Sequence, residues 1–133
     1  PTDTALLLHN TMAYDREHAD DFKRAVREAV RFAETHAPQL MVQVFVDEEL
    51  ALCHSFQLYE NSEAVLRHWE VSDPHIAAVM KHCRVQRMEV YGSPSAAVRQ
   101  GIVQAVGPDK VSFVPGLVGY HHLAPARAAR APL

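Results

Sequence analysis

From Leu50 to Tyr59 the chain alternates: Leu50, Leu52, His54, Phe56 and Leu58 point one way, and Ala51, Cys53, Ser55, Gln57 and Tyr59 the other. A period of two built from aliphatic and aromatic residues marks a half-buried β-strand. The next residues break that period at once. Glu60-Asn61-Ser62-Glu63 is a helix start, with Asn61 or Ser62 able to accept a hydrogen bond from the orphan N–H groups of the first turn. Val65, Leu66 and Trp69 then fall at helical spacing. Asp73-Pro74 reads as a second start, because proline suits a first helical turn, and Ile76, Val79, Met80 and Cys83 continue the apolar stripe. Arg84 to Tyr91 returns to extended chain, with Val85, Arg87, Glu89 and Tyr91 on one face.

The preceding residues supply the same pair of elements once more. Thr4–Met12 is a strand with faces Leu6/Leu8/Asn10/Met12 and Leu7/His9/Thr11. Asp15–Thr35 is an amphipathic helix with Phe22, Val26, Val30 and Ala33 on its apolar face, Asp15 as cap and Pro38 beyond its end. Gln39–Asp47 is a further strand. The order β-α-β-β-α-β is ferredoxin-like: an α+β fold with an antiparallel sheet and both helices on one face. The strand faces Leu40/Val42/Val44/Val46 and Met41/Gln43/Phe45 leave both sides of that sheet apolar, so a second copy of the chain is the expected lid on the open side. Gly92-Ser93-Pro94-Ser95 caps a further short helix, and Val111–Tyr120, interrupted by Pro115-Gly116, reads as two short edge pieces. Residues 1–133 thus read as one domain, with a core over 4–91, an extension over 92–123 and a flexible tail over 124–133.

The run LYENSEAVLRHWEVSDPHIAAVM resembles the strand–helix segment of the antibiotic biosynthesis monooxygenase-like proteins, of the dimeric α+β barrel superfamily. There a strand ending in a Tyr-Glu-type pair leads into a helix, a Ser/Thr-Pro-His-aromatic step and another helix. The similarity spans Leu6 to Tyr91, and Ile76 stands where an aromatic residue is common. It implies a homodimer with two sheets packed face to face.

Composition excludes several other classes. Net charge of -3 offers no electrostatic case for nucleic acid or an anionic membrane. No apolar run approaches the roughly 20 residues of a membrane helix, and with no leader visible the expected location is the cytoplasm. Cys53 and Cys83 lack CxxC spacing and read as half-buried thiols. Nucleotide, flavin and metalloprotease motifs are all missing, so no cofactor is expected. Of nine histidines, His18, His36 and His68 read as helix-surface residues and His121-His122 face opposite ways, so no metal site is expected either.

Polar residues on otherwise apolar elements are the candidates for chemistry: Asn10, His54, Trp69, His75 and Arg87, with Tyr59, Phe56 and Met80 as substrate contacts. The resemblance implies a small cofactor-independent monooxygenase acting on an aromatic ligand, a phenol, quinol or polyketide-type molecule. Trp69 would stack on the rings, Arg87 would stabilise a phenolate, and His54 or His75 would accept its proton. Two alternatives stand beside it. One is a non-catalytic binding or pathway accessory protein of the same fold. The other is a haem-degrading enzyme, which Asn10 and Trp69 suit but for which the iron-ligating histidine is out of place. Whether the chain is an enzyme at all stays open at this level.

Overall fold

A computed structural model describes residues 5–126. Its elements run β1 (Leu6–Tyr14), α1 (Ala19–His36), β2 (Gln39–Asp47), β3 (Leu52–Tyr59), α2 (Ser62–Met80), β4 (Cys83–Tyr91), α3 (Ala96–Val106) and β5 (Val111–Val114). The sheet order is β2-β3-β1-β4-β5. Its first four strands are antiparallel, and β5 adds in parallel to β4. This is the expected ferredoxin-like α+β arrangement, extended by one helix and one strand. The three helices lie on one face, called the inner face below; Leu6, Leu8, Tyr59, Val65, Val90, Val98 and Ile102 form its main core.

Local chemistry accounts for most boundaries. Asn61 Oδ1 accepts from Ala64 N–H at 3.0 Å and opens α2, and Ser95 Oγ accepts from Val98 N–H to open α3. Four expectations need correction. Asp15 makes no capping bond, because a 3-10 turn over Arg16–His18 comes before α1. Leu50 belongs to the β2–β3 turn, where Ala51 takes φ 55°, and not to β3. α2 runs unbroken past Pro74: packing along α1 outweighs the one ladder bond that proline forfeits. The segment 111–120 forms a single strand, β5, and Pro115-Gly116 ends it. Most of the expected tail, 127–133, lies outside the described residues.

Two β-bulges decide which side chains face the helices. On β4, Arg87 pairs with Thr11 and Val85 with Met12, leaving Gln86 as an extra residue. On β2, Gln39 pairs with Tyr59 and Met41 with Leu58, leaving Leu40 extra. Because side chains alternate, one extra residue reverses the facing of everything beyond it. Val85 therefore faces inward while Arg87 faces outward, and Gln39 faces inward while Met41 faces outward.

The outer face carries a mixed layer. Phe56 stacks on His9 at 4.2 Å and meets Phe45 edge-on at 5.9 Å between ring centres. His9 lies 3.0 Å from His54 through Nε2 and Nδ1, and 2.8 Å from Glu89 through Nδ1 and Oε1. Arg87 donates to Ser112 Oγ on β5 at 3.0 Å. Phe45 remains 56% exposed on this face.

Candidate functional site

Between the helices and the inner sheet face lies a cavity of about 470 Å³. That is within the size range of small-molecule sites. Its walls are aliphatic: Val26 and Val30 of α1, Val42 and Val44 of β2, Ile76 and Val79 of α2, Ile102 and Val106 of α3. Trp69 is the aromatic surface it offers. The ring reaches it because α3 passes close by at Gly101: a Cβ there would stand 2.6 Å from Trp69 Cζ3.

The polar lining comes from two directions. From α2 come His68, Ser72, Asp73 and His75. His68 Nδ1 and Ser72 Oγ are 3.0 Å apart, one helical turn from each other, and Ser72 is 2% exposed. Burial lowers the His68 pKa from 6.5 to about 4, so its imidazole is neutral at neutral pH. His75 stacks on Phe32 of α1 at 4.4 Å. From the sheet come Asn10, Ser55, Gln57 and Gln39. Gln39 Nε2 donates to Gln57 Oε1 at 2.9 Å and to the Tyr59 hydroxyl at 3.1 Å; the Tyr59 hydroxyl donates to Gln57 Oε1, and Gln57 Nε2 donates to Ser55 Oγ at 3.1 Å. Tyr59 itself is fully buried, and burial raises its phenol well above the ordinary range.

The structure therefore divides the residues picked out from sequence. Asn10, Trp69, His75 and Met80 line the cavity. His54, Phe56 and Arg87 lie on the outer face, across the sheet from Trp69. They cannot share one ligand with it, so an Arg87-stabilised phenolate next to Trp69 is ruled out by geometry within this chain. Tyr59 sits under the site and touches it through the two glutamines and through its ring, 5.9 Å from that of His68. Sequence reasoning missed His68, taken as a surface residue, and the Gln39–Gln57 pair. A signal for His68 was present: it stands one residue before Trp69 and four before Ser72, on the stripe that packs inward. Both cysteines are free, and burial pushes their thiols up to about 11.

His68 links pH to stability. The folded state holds it neutral, while the unfolded chain protonates near 6.5. The stabilisation is therefore complete above that value and is lost as pH falls from 6.5 towards 4. The loss is expected to be on the order of 2–3 kcal/mol by pH 4.5. Guanidinium unfolding of the wild type and His68→Gln at pH 7 and pH 4.5 measures it. The wild type should lose that much more than the variant; equal losses would dismiss the effect.

No family model matches the sequence, and no curated protein matches it. Solved structures do. MupZ from Pseudomonas fluorescens superposes with a TM-score of 0.71 at 11% identity, over 92% of each chain. SnoaB, described as a cofactor-independent oxygenase from Streptomyces nogalater, does so with 0.58 at 10% identity, over 71% of this chain and 97% of SnoaB. A Caulobacter crescentus protein provisionally named an antibiotic biosynthesis monooxygenase gives 0.56 at 14% identity, over 66% of this chain and 88% of that one. At such identities the likeness is one of fold. The chain therefore shares the fold of solved structures that include a cofactor-independent oxygenase and proteins provisionally named antibiotic biosynthesis monooxygenases.

Proposed function

We propose that this chain is a cofactor-independent enzyme of the oxygenase type, acting on a largely apolar small molecule, aromatic or polyketide-like, held in the inner cavity. The observation that carries the reading is the convergence of Trp69, His68, His75 and Asn10 on one aliphatic cavity of about 470 Å³. Trp69 packs against the ligand, Asn10 orients it, and His75 accepts a proton from it. Likeness to SnoaB favours dioxygen as the second reactant. The chemistry would run on the substrate's own electrons: a deprotonated phenol or quinol donates one electron to dioxygen.

A second reading has its own support. Burial keeps His68 neutral, and among the described residues lining the cavity none is Lys or Arg. Such a lining suits proton transfer on a neutral substrate, as in isomerisation or ring formation, at least as well as it suits a long-lived phenolate. Incubation with a planar polycyclic phenol in air and under argon separates the cases. Oxygen uptake with product formed only in air supports the oxygenase. Product under argon gives the proton-transfer reading, and binding without product gives the accessory protein.

The outer sheet face is proposed to be covered by a second copy of the chain. Phe45, Phe56 and Leu58 would each forfeit roughly 1.5–3 kcal/mol if left in water. Sedimentation at micromolar concentration is expected to give twice the 14.9 kDa chain mass, and Phe45→Asp should shift the equilibrium to monomer. A wild-type mass of one chain at all concentrations rejects the dimer.

A further inference from the structure

The sheet side of the cavity carries an ordered row of neutral polar groups: Gln39 on β2, Gln57 and Ser55 on β3, and Asn10 on β1, opposite Ser55 in the strand register. The row has a direction. Gln39 donates to Gln57, Gln57 donates to Ser55, and the buried Tyr59 hydroxyl holds Gln57 by donating to the same Oε1 that Gln39 uses. Ser55 Oγ thus accepts from Gln57 and keeps its own proton to donate. At the two ends stand Gln39 Oε1 and Asn10 Oδ1, both buried and both without a hydrogen-bond partner among the described residues. Buried acceptors left unpaired are costly, and native structures keep few of them. Four amide and hydroxyl side chains stand on the inner face of a sheet, where apolar residues would pack better against helices, and the acceptors at the two ends of their row find no partner among the described residues.

We propose that this row recognises the hydroxyl groups of an uncharged ligand, and that the molecule taken by the cavity is a hydroxylated, otherwise hydrocarbon compound. This deepens the proposed function and rests on its reading of the inner cavity as the ligand site. The chemistry of the ends selects the ligand. An orphan acceptor needs a donor, which an alcohol or phenol O–H supplies; an ionised carboxylate or phosphate has acceptors only and would meet oxygen with oxygen. No Lys or Arg among the described lining residues could neutralise such an anion, and the acidic residue among them is Asp73. Ser55 Oγ–H, the spare donor, faces the oxygen of the same hydroxyl. A 1,3-diol or a resorcinol-type pair of hydroxyls suits the Asn10–Ser55 end of the row, where an acceptor and a donor stand in register on adjacent strands, and Gln39 Oε1, further along the row, is left for another hydroxyl of a larger ligand.

The chain contains one tryptophan, and it lines the cavity, so its fluorescence reports on binding there. The full-length protein is titrated with 1,3-octanediol, 1-octanol and octanoate, three probes sharing one tail. The expected order of affinity is diol, then alcohol, then octanoate, with about tenfold between the first and the last. Asn10→Leu, and Ser55→Ala as the milder change, should weaken the diol about tenfold and leave octanoate within twofold. Octanoate binding as tightly as the diol, or variants that bind all three probes as the wild type does, would overturn the row as a hydroxyl site while leaving the cavity as the ligand site. Wild-type protein whose fluorescence answers to none of the three would overturn the cavity reading itself, and this inference with it.

Discussion

Replacing Trp69 with alanine is expected to destabilise the fold by about 3 kcal/mol, the low end of the range for truncating a large aromatic side chain. The low end applies because the ring already borders an open cavity on one side, while its other side is packed against Gly101. Urea unfolding monitored by far-UV circular dichroism measures the change without using the lost fluorophore. Trp69→Phe should keep most of that stability and still alter binding of an aromatic ligand, since the cavity loses part of its one aromatic wall. A Phe variant that binds and turns over like the wild type would reduce Trp69 to a packing residue.

Gly101→Ala makes the complementary test from the other helix. In an exposed helix this change would gain up to about 1 kcal/mol from propensity alone. Here the new Cβ would meet Trp69 Cζ3 at 2.6 Å and Cη2 at 2.9 Å, so the ring has to move. With α3 fixed behind it, the open direction is into the cavity. Stability should therefore change by less than about 1 kcal/mol, while affinity for 1,3-octanediol falls roughly tenfold. Unchanged affinity alongside a simple gain in stability would place the ligand away from Trp69.

The fold was legible because its evidence is periodic. Strand and helix patterns, their order and the apolar character of both sheet faces all survive in the sequence. The site was legible only in part, and the failures have separate origins. His54 was chosen because it interrupts a Leu/Phe row, on the assumption that the apolar row faces the core. Here the relation is inverted: Leu52, His54, Phe56 and Leu58 face outward, and Cys53, Ser55, Gln57 and Tyr59 face the helices. An inner face that lines a cavity tolerates polar groups, and an apolar outer face is what the proposed dimer would bury. Arg87 was grouped with Val85 by strict alternation, and Gln86 breaks that alternation. Nothing in a linear pattern announces a bulge of that kind, because the partner strand creates it. Asn10 and Trp69 were reached because no irregularity separates them from the period used to place them.

The bulge at Gln86 also makes the polarity of this cavity a matter of chain length as well as residue type. Inserting one residue in β1 between Thr11 and Met12, opposite Gln86, would restore regular pairing between β1 and β4; Val85 and Arg87 would then share a face, and one flank of the strand would have to turn over. If the turn falls on the Arg87 flank, a guanidinium enters the cavity, and a site suited to neutral alcohols acquires the countercharge for carboxylates or phenolates. If it falls on the Val85 flank, the cavity loses an aliphatic wall and gains a solvent path. Sheets of this kind can therefore change the charge class of the molecules they accept by insertion or deletion, with every lining codon intact.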